Sequence, residues 1–291
     1  MNKTMKPSIP MRRSSVLVLL LASLSACAVF GGGTQQPAVY SIPNMEQAKI
    51  RSDLTYKTVA GADLKMDAYY PANFQNSTRL PAVILVHGDG SPSQLKNAKD
   101  WGVFVSYGRV MAASNLIGIS FTHRSSENFT KMEDVAKDVD DLVAYVRNNA
   151  DSLNIDRDRI CMWFFSAGGT LLRMPLRDKP SFVRCLVAYY PWMGIPPGKA
   201  SDEVVKAFTP AGYLNGGYKG IAPMLLVRAG QDSPDTNQLI DNFIRDAQTQ
   251  NAPLEVINYA EGHHGFDVRD DNDKSREIIK RTVEFVAKHL R

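Results

Sequence analysis

The most constraining stretch of this chain is Arg159-Ile-Cys-Met-Trp-Phe-Phe165, which stops at Ser166-Ala-Gly-Gly169. Seven residues, mostly large and apolar, are too few for a typical helix and fit a strand covered on both faces. The abrupt change to small residues marks a sharp bend at Ser166, where a strand turns into a helix. A serine there is either an ordinary helix N-cap or a hydroxyl deliberately displayed at the bend. The choice between them rests on what else the chain places at its strand ends.

The rest of the chain repeats this design. Leu54–Val59 and Leu64–Tyr70 alternate apolar and polar residues around Gly61-Ala-Asp63, which predicts an antiparallel hairpin. A continuous apolar run follows at Pro81–Val86, a short buried strand at Leu116–Phe121, and further strands at Leu186–Tyr190, Met224–Arg228 and Leu254–Tyr259. Helical periodicity separates them, most clearly in Met132, Val135, Val139, Leu142, Val143 and Val146. Further helices are expected over 99–113, 235–250 and 274–290, and Asn154–Asp158 reads as a loop. The pattern is that of an α/β protein with a mostly parallel central sheet, an N-terminal antiparallel hairpin and helices on both faces. In such a sheet the functional site lies beyond the carboxyl ends of the strands. The residues at those ends are Gly88-Asp-Gly90, His123, Ser166, Trp192, Asp232 and His264.

These residues supply a complete set of groups for nucleophilic chemistry. Of five histidines, His289 lies on the terminal helix, while His87 and His123 close strands. His263 and His264 follow the last strand, between Gly262 and Gly265. Asp232 ends the strand at Met224–Ala229 and provides a carboxylate to orient an imidazole; Asp235, three residues on, is the alternative and better suited to capping the next helix. The order Ser166, Asp232, His264 is the order of acid and base in one group of hydrolases. Backbone N–H groups of Ala167 and of Gly88 or Asp89 are placed to hold an oxyanion.

With LVHGDG, FSAGG, VRAGQD and GHHGFD in view, residues 50–291 resemble the α/β-hydrolases, most closely the dienelactone hydrolase and esterase branch. The resemblance implies Ser166 as nucleophile, Asp232 as acid and His264 as base, acting on carboxylic esters of small or short-acyl substrates. It implies no metal or organic cofactor. Phe164 stands where the family's G-x-S-x-G pattern has its first glycine, and this bulk is expected to widen the elbow or weaken activity. Serine in place of the cysteine of dienelactone hydrolases proper points to ordinary ester chemistry. Residues 192–222, rich in Gly, Pro and aromatics, form either a short cap over the site or a plain surface excursion. Two other readings remain: a peptidase of the prolyl-oligopeptidase type, for whose propeller residues 28–50 leave no room, and a non-catalytic binding lipoprotein with a hydrolase fold.

The N-terminus reads as a targeting segment. Lys3, Lys6, Arg12 and Arg13 precede a short apolar run at Val16–Leu21, the build of a secretory signal over residues 1–26. Leu24-Ser-Ala-Cys27 resembles the bacterial lipobox, which implies cleavage before Cys27 and lipidation of its thiol; a plain secretory signal is the alternative. The chain is then expected in the bacterial envelope, facing the periplasm and held at the outer membrane, or else soluble and secreted. Residues 27–49 read as a tether. Loss of residues 1–26 removes four basic residues and no acidic one, leaving 30 Lys and Arg against 30 Asp and Glu. This neutral balance gives no reason to expect a nucleic-acid partner. Cys161 and Cys185 open neighbouring apolar runs and either form a disulfide or stay as buried thiols.

Overall fold

The computed structural model describes Met1 and residues 35–196, 198–214 and 219–291. Apart from Met1, the expected signal peptide lies outside the described residues, as does Cys27. Among the described residues, eight strands form one sheet: β1 (Lys49–Val59), β2 (Ala62–Tyr70), β3 (Leu80–Val86), β4 (Ile117–Phe121), β5 (Ile155–Phe165), β6 (Val183–Tyr189), β7 (Met224–Ala229) and β8 (Leu254–Tyr259). Their spatial order is β1-β2-β4-β3-β5-β6-β7-β8. β1 and β2 form the antiparallel hairpin, β2 joins β4 antiparallel, and every later pairing is parallel. The described helices are α1 (Pro92–Leu95), α2 (Gly102–Ala113), α3 (Met132–Asn148), α4 (Arg173–Asp178), α5 (Asp202–Ala207), α6 (Pro234–Thr249), α7 (Phe266–Arg269) and α8 (Asp273–Leu290).

The two-residue period of the central strands sorts their side chains into two cores. Ala82, Ile84, Val86, Met162, Phe164, Leu186 and Ala188 share one core with α3 and α6. Val83, Leu85, Cys161, Trp163, Phe165, Cys185, Val187 and Tyr189 share the other with α2 and α8. Both faces are therefore covered, which is why these strands read as unbroken apolar runs. Cys161 and Cys185 are register partners on adjacent strands and are joined as a disulfide. The sequence had left this pairing open. A cross-link closing a loop of this length, 24 residues apart in sequence, is worth about 3 kcal/mol by chain entropy.

Three boundaries differ from the sequence reading. Ile155–Asp158, expected as a loop, belong to β5; the strand begins at Ile155, which pairs with Leu80, and an irregularity separates that contact from Ala82–Ile160. The segment after Ser166 is a 3₁₀ turn over Ser166–Leu172 before α4 begins. Most of the expected tether is also packed. Ala38 and Met45 are buried in the α2/α8 core, and the Val39 N–H donates to the Asp267 carbonyl at 2.8 Å. Val39, Tyr40 and Ile42 pack against the same core, partly buried; the prolines and polar residues between these apolar positions gave the segment the look of a tether.

Residues 192–222 carry α5 and a 3₁₀ turn at Pro210–Tyr213. Met193, Ile195, Phe208, Leu214 and Ile221 sink into the α3/α6 core, so the described part of this excursion is rooted in the domain. No helix among the described residues is long and apolar enough to cross a membrane.

Beyond the β2–β4 pairing, a buried carboxylate links the hairpin to α3. Asp138 of α3 is fully buried. It accepts from Lys57 Nζ at 2.6 Å, Arg124 Nε at 2.8 Å, an Arg124 terminal nitrogen at 2.9 Å and the Arg124 backbone at 3.1 Å. Burial alone would raise its pKa, but the hydrogen bonds from Arg124 and Lys57 hold it below the usual carboxylate value. Asp138→Asn would leave two cations facing a neutral amide. The expected loss is about 3–5 kcal/mol of unfolding free energy, read by urea denaturation; a change under 1 kcal/mol would mean the network contributes little.

Candidate active site

Ser166 sits where β5 meets its 3₁₀ turn. Phe165 is extended, and Ser166 then adopts φ +54°, a left-handed conformation that non-glycine residues take only when neighbours enforce it. The neighbours here are backbone. A Cβ at Gly168 would lie 2.7 Å from the His87 carbonyl oxygen and 2.9 Å from that of Val86, so only glycine lets the turn nest on the end of β3. The Trp192 N–H closes the other side by donating to the Ser166 carbonyl at 2.8 Å. Phe164, the bulky residue two before the serine, points into the core. Its register partners are Val86 and Ala188, and its ring is buried in the α3/α6 core. The neighbour on β6 is the small Ala188.

Ser166, His264 and Asp232 are joined in one chain of hydrogen bonds. Ser166 Oγ lies 2.8 Å from His264 Nε2, and His264 Nδ1 lies 2.6 Å from Asp232 Oδ2. Since the carboxylate only accepts, Nδ1 carries the proton and Nε2 is left free to accept the serine proton. The other Asp232 oxygen accepts the Ser233 N–H at 2.7 Å. Asp232 and His264 are largely buried, which keeps water from competing for these bonds. His263 is instead a surface residue paired with Asp270 at 3.0 Å. Asp235 lies in the first turn of α6, which Ser233 caps.

The glycine turn after β3 abuts this serine. A Cβ at Gly88 would lie 3.1 Å from Ser166 Cβ and 3.4 Å from Ser166 Oγ. The turn is oriented by His87, which stacks on His123 with ring centroids 3.6 Å apart. His87 Nε2 faces the His123 N–H at 3.2 Å, so Nδ1 is the protonated nitrogen and donates to the Gly88 carbonyl at 2.6 Å. Burial, with His123 beside it, pushes His87 well below the ordinary imidazole range, so it stays neutral in this role. In a planar trans peptide the Asp89 N–H then points away from the imidazole. The Asp89 carboxylate is occupied elsewhere: it accepts the Ser126 N–H at 3.0 Å and the Ser126 hydroxyl.

A second carboxylate lies behind His264, and sequence reasoning assigned it no role. Asp267 is fully buried and accepts from Tyr190 at 2.7 Å and Tyr107 at 2.9 Å. The Tyr190 ring packs on the His264 imidazole with centroids 4.7 Å apart, and Tyr190 itself has φ +37°. Burial pushes the Asp267 carboxyl up to about 6, although both phenols and His264 act to lower it. The one signal was its place in GHHGFD, three residues after His264. Among the described residues, no group of three or more His, Cys, Asp or Glu is arranged to hold a metal ion.

A family model described as BD-FAE matches residues 66–176, a span that holds Gly88, Asp89, Ser166 and Ala167 and stops before Asp232 and His264. No curated protein matches the chain. Among solved structures, the chain is similar to native esterase 2 of the Planctomycetes species Thermogutta terrifontis, with 20% identity over 84% of this chain and 94% of that one, at a TM-score of 0.65. The same enzyme with butyrate bound gives 20% identity, 84% and 96% coverage and a TM-score of 0.65. Its form phosphoramylated by tabun gives 20%, 85%, 95% and 0.65. These likenesses, with the strand order above, establish the α/β-hydrolase fold.

Asp267 makes stability depend on pH in a defined direction. Its folded-state value, about 6, lies above the ordinary 3.8, so the folded chain holds this proton more tightly than the unfolded one. Its contribution is fully present below about pH 4 and is lost as the pH rises through about 6, a loss of about 3 kcal/mol. Asp267→Asn removes that loss. The variant's unfolding free energy relative to the wild type should therefore rise by about 3 kcal/mol between pH 4 and pH 7 in urea titrations. Parallel pH curves for the two proteins would contradict the assignment.

Proposed function

We propose that the chain is a serine hydrolase that cleaves carboxylic esters of small or short-acyl substrates through an acyl-enzyme. The observation that carries this is the unbroken Ser166–His264–Asp232 hydrogen-bond chain, starting from a serine held at positive φ. An N-cap serine has no need of an imidazole at 2.8 Å backed by a buried carboxylate. The fold likeness to an esterase that binds propionate and butyrate and is phosphorylated by paraoxon supports the same reading. Assignment to the dienelactone-hydrolase-like branch rests on the four sequence motifs.

His264 Nε2 takes the Ser166 proton as Oγ attacks the ester carbonyl carbon. Negative charge then gathers on the former carbonyl oxygen, which the N–H groups of Ala167 and of Gly88 or Asp89 hold. Asp232 stabilises the imidazolium and keeps its tautomer. Collapse of the tetrahedral adduct breaks the ester C–O bond, and His264 returns the proton to the departing alcohol. A water molecule, deprotonated by the same nitrogen, attacks the acyl-enzyme and frees the acid and Ser166.

The mature chain is further proposed to be held in the envelope by a lipid on Cys27, facing the periplasm. The order of residues at Leu24–Cys27 supports this, and a disulfide at Cys161–Cys185 suits an oxidising compartment. Metabolic labelling with a radioactive fatty acid should mark the chain and be lost in Cys27→Ala; a labelled variant would refute the anchor.

The purified mature chain should react with a fluorophosphonate probe. Ser166→Ala should abolish labelling and reduce ester turnover by about 10⁴-fold or more, without unfolding the protein. Labelling that survives in the variant would remove Ser166 from the mechanism.

A further inference from the structure

Among the described residues, Arg124–Lys131 holds a run of left-handed backbone that stands out. Glu127, Asn128 and Phe129 have φ of 47°, 57° and 68° in succession, and none is a glycine. Each such residue is costly, most of all a bulky aromatic, and a run of three persists only where the surroundings fix it. Those fixings all lead to the glycine turn beside Ser166. Ser125 Oγ donates to the Gly90 carbonyl at 2.5 Å and accepts the Glu127 N–H at 3.0 Å. Ser126 is gripped by the Asp89 carboxylate, and its hydroxyl oxygen accepts the Phe129 N–H at 2.9 Å. At the loop's start, Arg124 is bound to buried Asp138. The loop and the Gly88–Gly90 turn thus form one stapled unit.

This staple puts the half-buried Phe129 side chain on the wall of a small cavity. Gly88 and Ala167 line this cavity together with Phe129, Met132, Val135 and Leu171, and the polar residues around it include Ser126 of the same loop. Its volume is about 10 Å³, room for one water-sized or methyl-sized group. Met132, Val135 and Leu171 belong to the α3/α6 core and cannot withdraw without disturbing it. Phe129 is the apolar lining residue that the Arg124–Lys131 loop carries, and its ring lies 5.9 Å from that of Trp192.

We infer that Phe129 sets the acyl-size limit of the site and restricts it to acetyl esters, an inference that rests on the ester-hydrolase reading above. The methyl of an acetyl group fills the cavity beside Gly88 and Ala167, and a butyryl chain meets the Phe129 ring. The costly left-handed run is thereby explained: it holds an aromatic ring at a fixed distance from the carbonyl site. A ring that only plugged a gap would affect stability and leave the preference among acyl chains unchanged.

The test uses the full mature chain, with Phe129→Ala and the milder Phe129→Leu, on p-nitrophenyl acetate, propionate, butyrate and hexanoate. Labelling by a fluorophosphonate probe reports separately whether Ser166 is reactive in each protein. In the wild type, kcat/KM should fall at least tenfold from acetate to butyrate. In Phe129→Ala the butyrate-to-acetate ratio should rise at least tenfold, with Phe129→Leu between the two. If the variants still label but keep the wild-type acyl profile, Phe129 is not the determinant. A labelled wild type that favours butyrate overturns the acetyl limit. A wild type that does not label at all refutes the ester-hydrolase reading, and this inference with it.

Discussion

The site depends on one close backbone approach. The turn after Ser166 nests on the end of β3 so tightly that Gly168 has no space for a methyl group against the carbonyl oxygens of Val86 and His87. That contact forces Ser166 into the left-handed region and presses its side chain against Gly88. Everything else in the centre is arranged around the result. β5 and β3 must be adjacent for the approach to occur, and the parallel register Val86–Phe164 provides it. The Cys161–Cys185 bond holds β5 to its other neighbour five residues before the serine.

Buried polar groups then fix what the backbone leaves free, and they do so in separate compartments. Asp232 orients His264, and Asp267 with two tyrosines supports the far face of the same imidazole. His87, kept neutral by burial, sets the direction of the Gly88 peptide. Asp89 contributes its backbone to one task and its carboxylate to another, because the side chain holds the Ser125–Phe129 segment. Buried acceptors are expensive unless fully bonded, and each of these carboxylates has at least two donors.

Much of this was legible in the sequence. Each strand was signalled by its run of apolar or alternating residues, and the central ones, β3, β4, β6 and the end of β5, most clearly, because a sheet covered on both faces leaves no polar position in its centre. Ser166, Asp232 and His264 were readable because strand ends mark the site in parallel sheets. The strand end pointed to the pair His263 and His264, and the family resemblance chose His264; the Asp270 partner explains what the other histidine does. What stayed hidden were contacts between residues far apart in sequence. Tyr107 and Asp267 are separated by 160 positions, and no local pattern joins them. The Glu127–Phe129 turn was invisible for another reason: left-handed runs signal themselves through glycine, and this one contains none. The core position of the Phe164 ring, beside Ala188 on the next strand, was likewise beyond a pattern read along one strand.

The packing of residues 38–48 alters where the folded unit begins. From composition it starts near Ile50, and a truncated version cut there would keep all eight strands almost intact. Such a chain would nevertheless lose the packing of Ala38 and Met45 on the α2/α8 core and leave the Asp267 carbonyl without its Val39 donor. Glu46 would also be lost as the ion-pair partner of Arg109 on α2. The damage would surface at the histidine loop, on the opposite end of the sequence from the cut. Anyone trimming this protein for crystallisation or display would therefore do well to start ahead of Gln35.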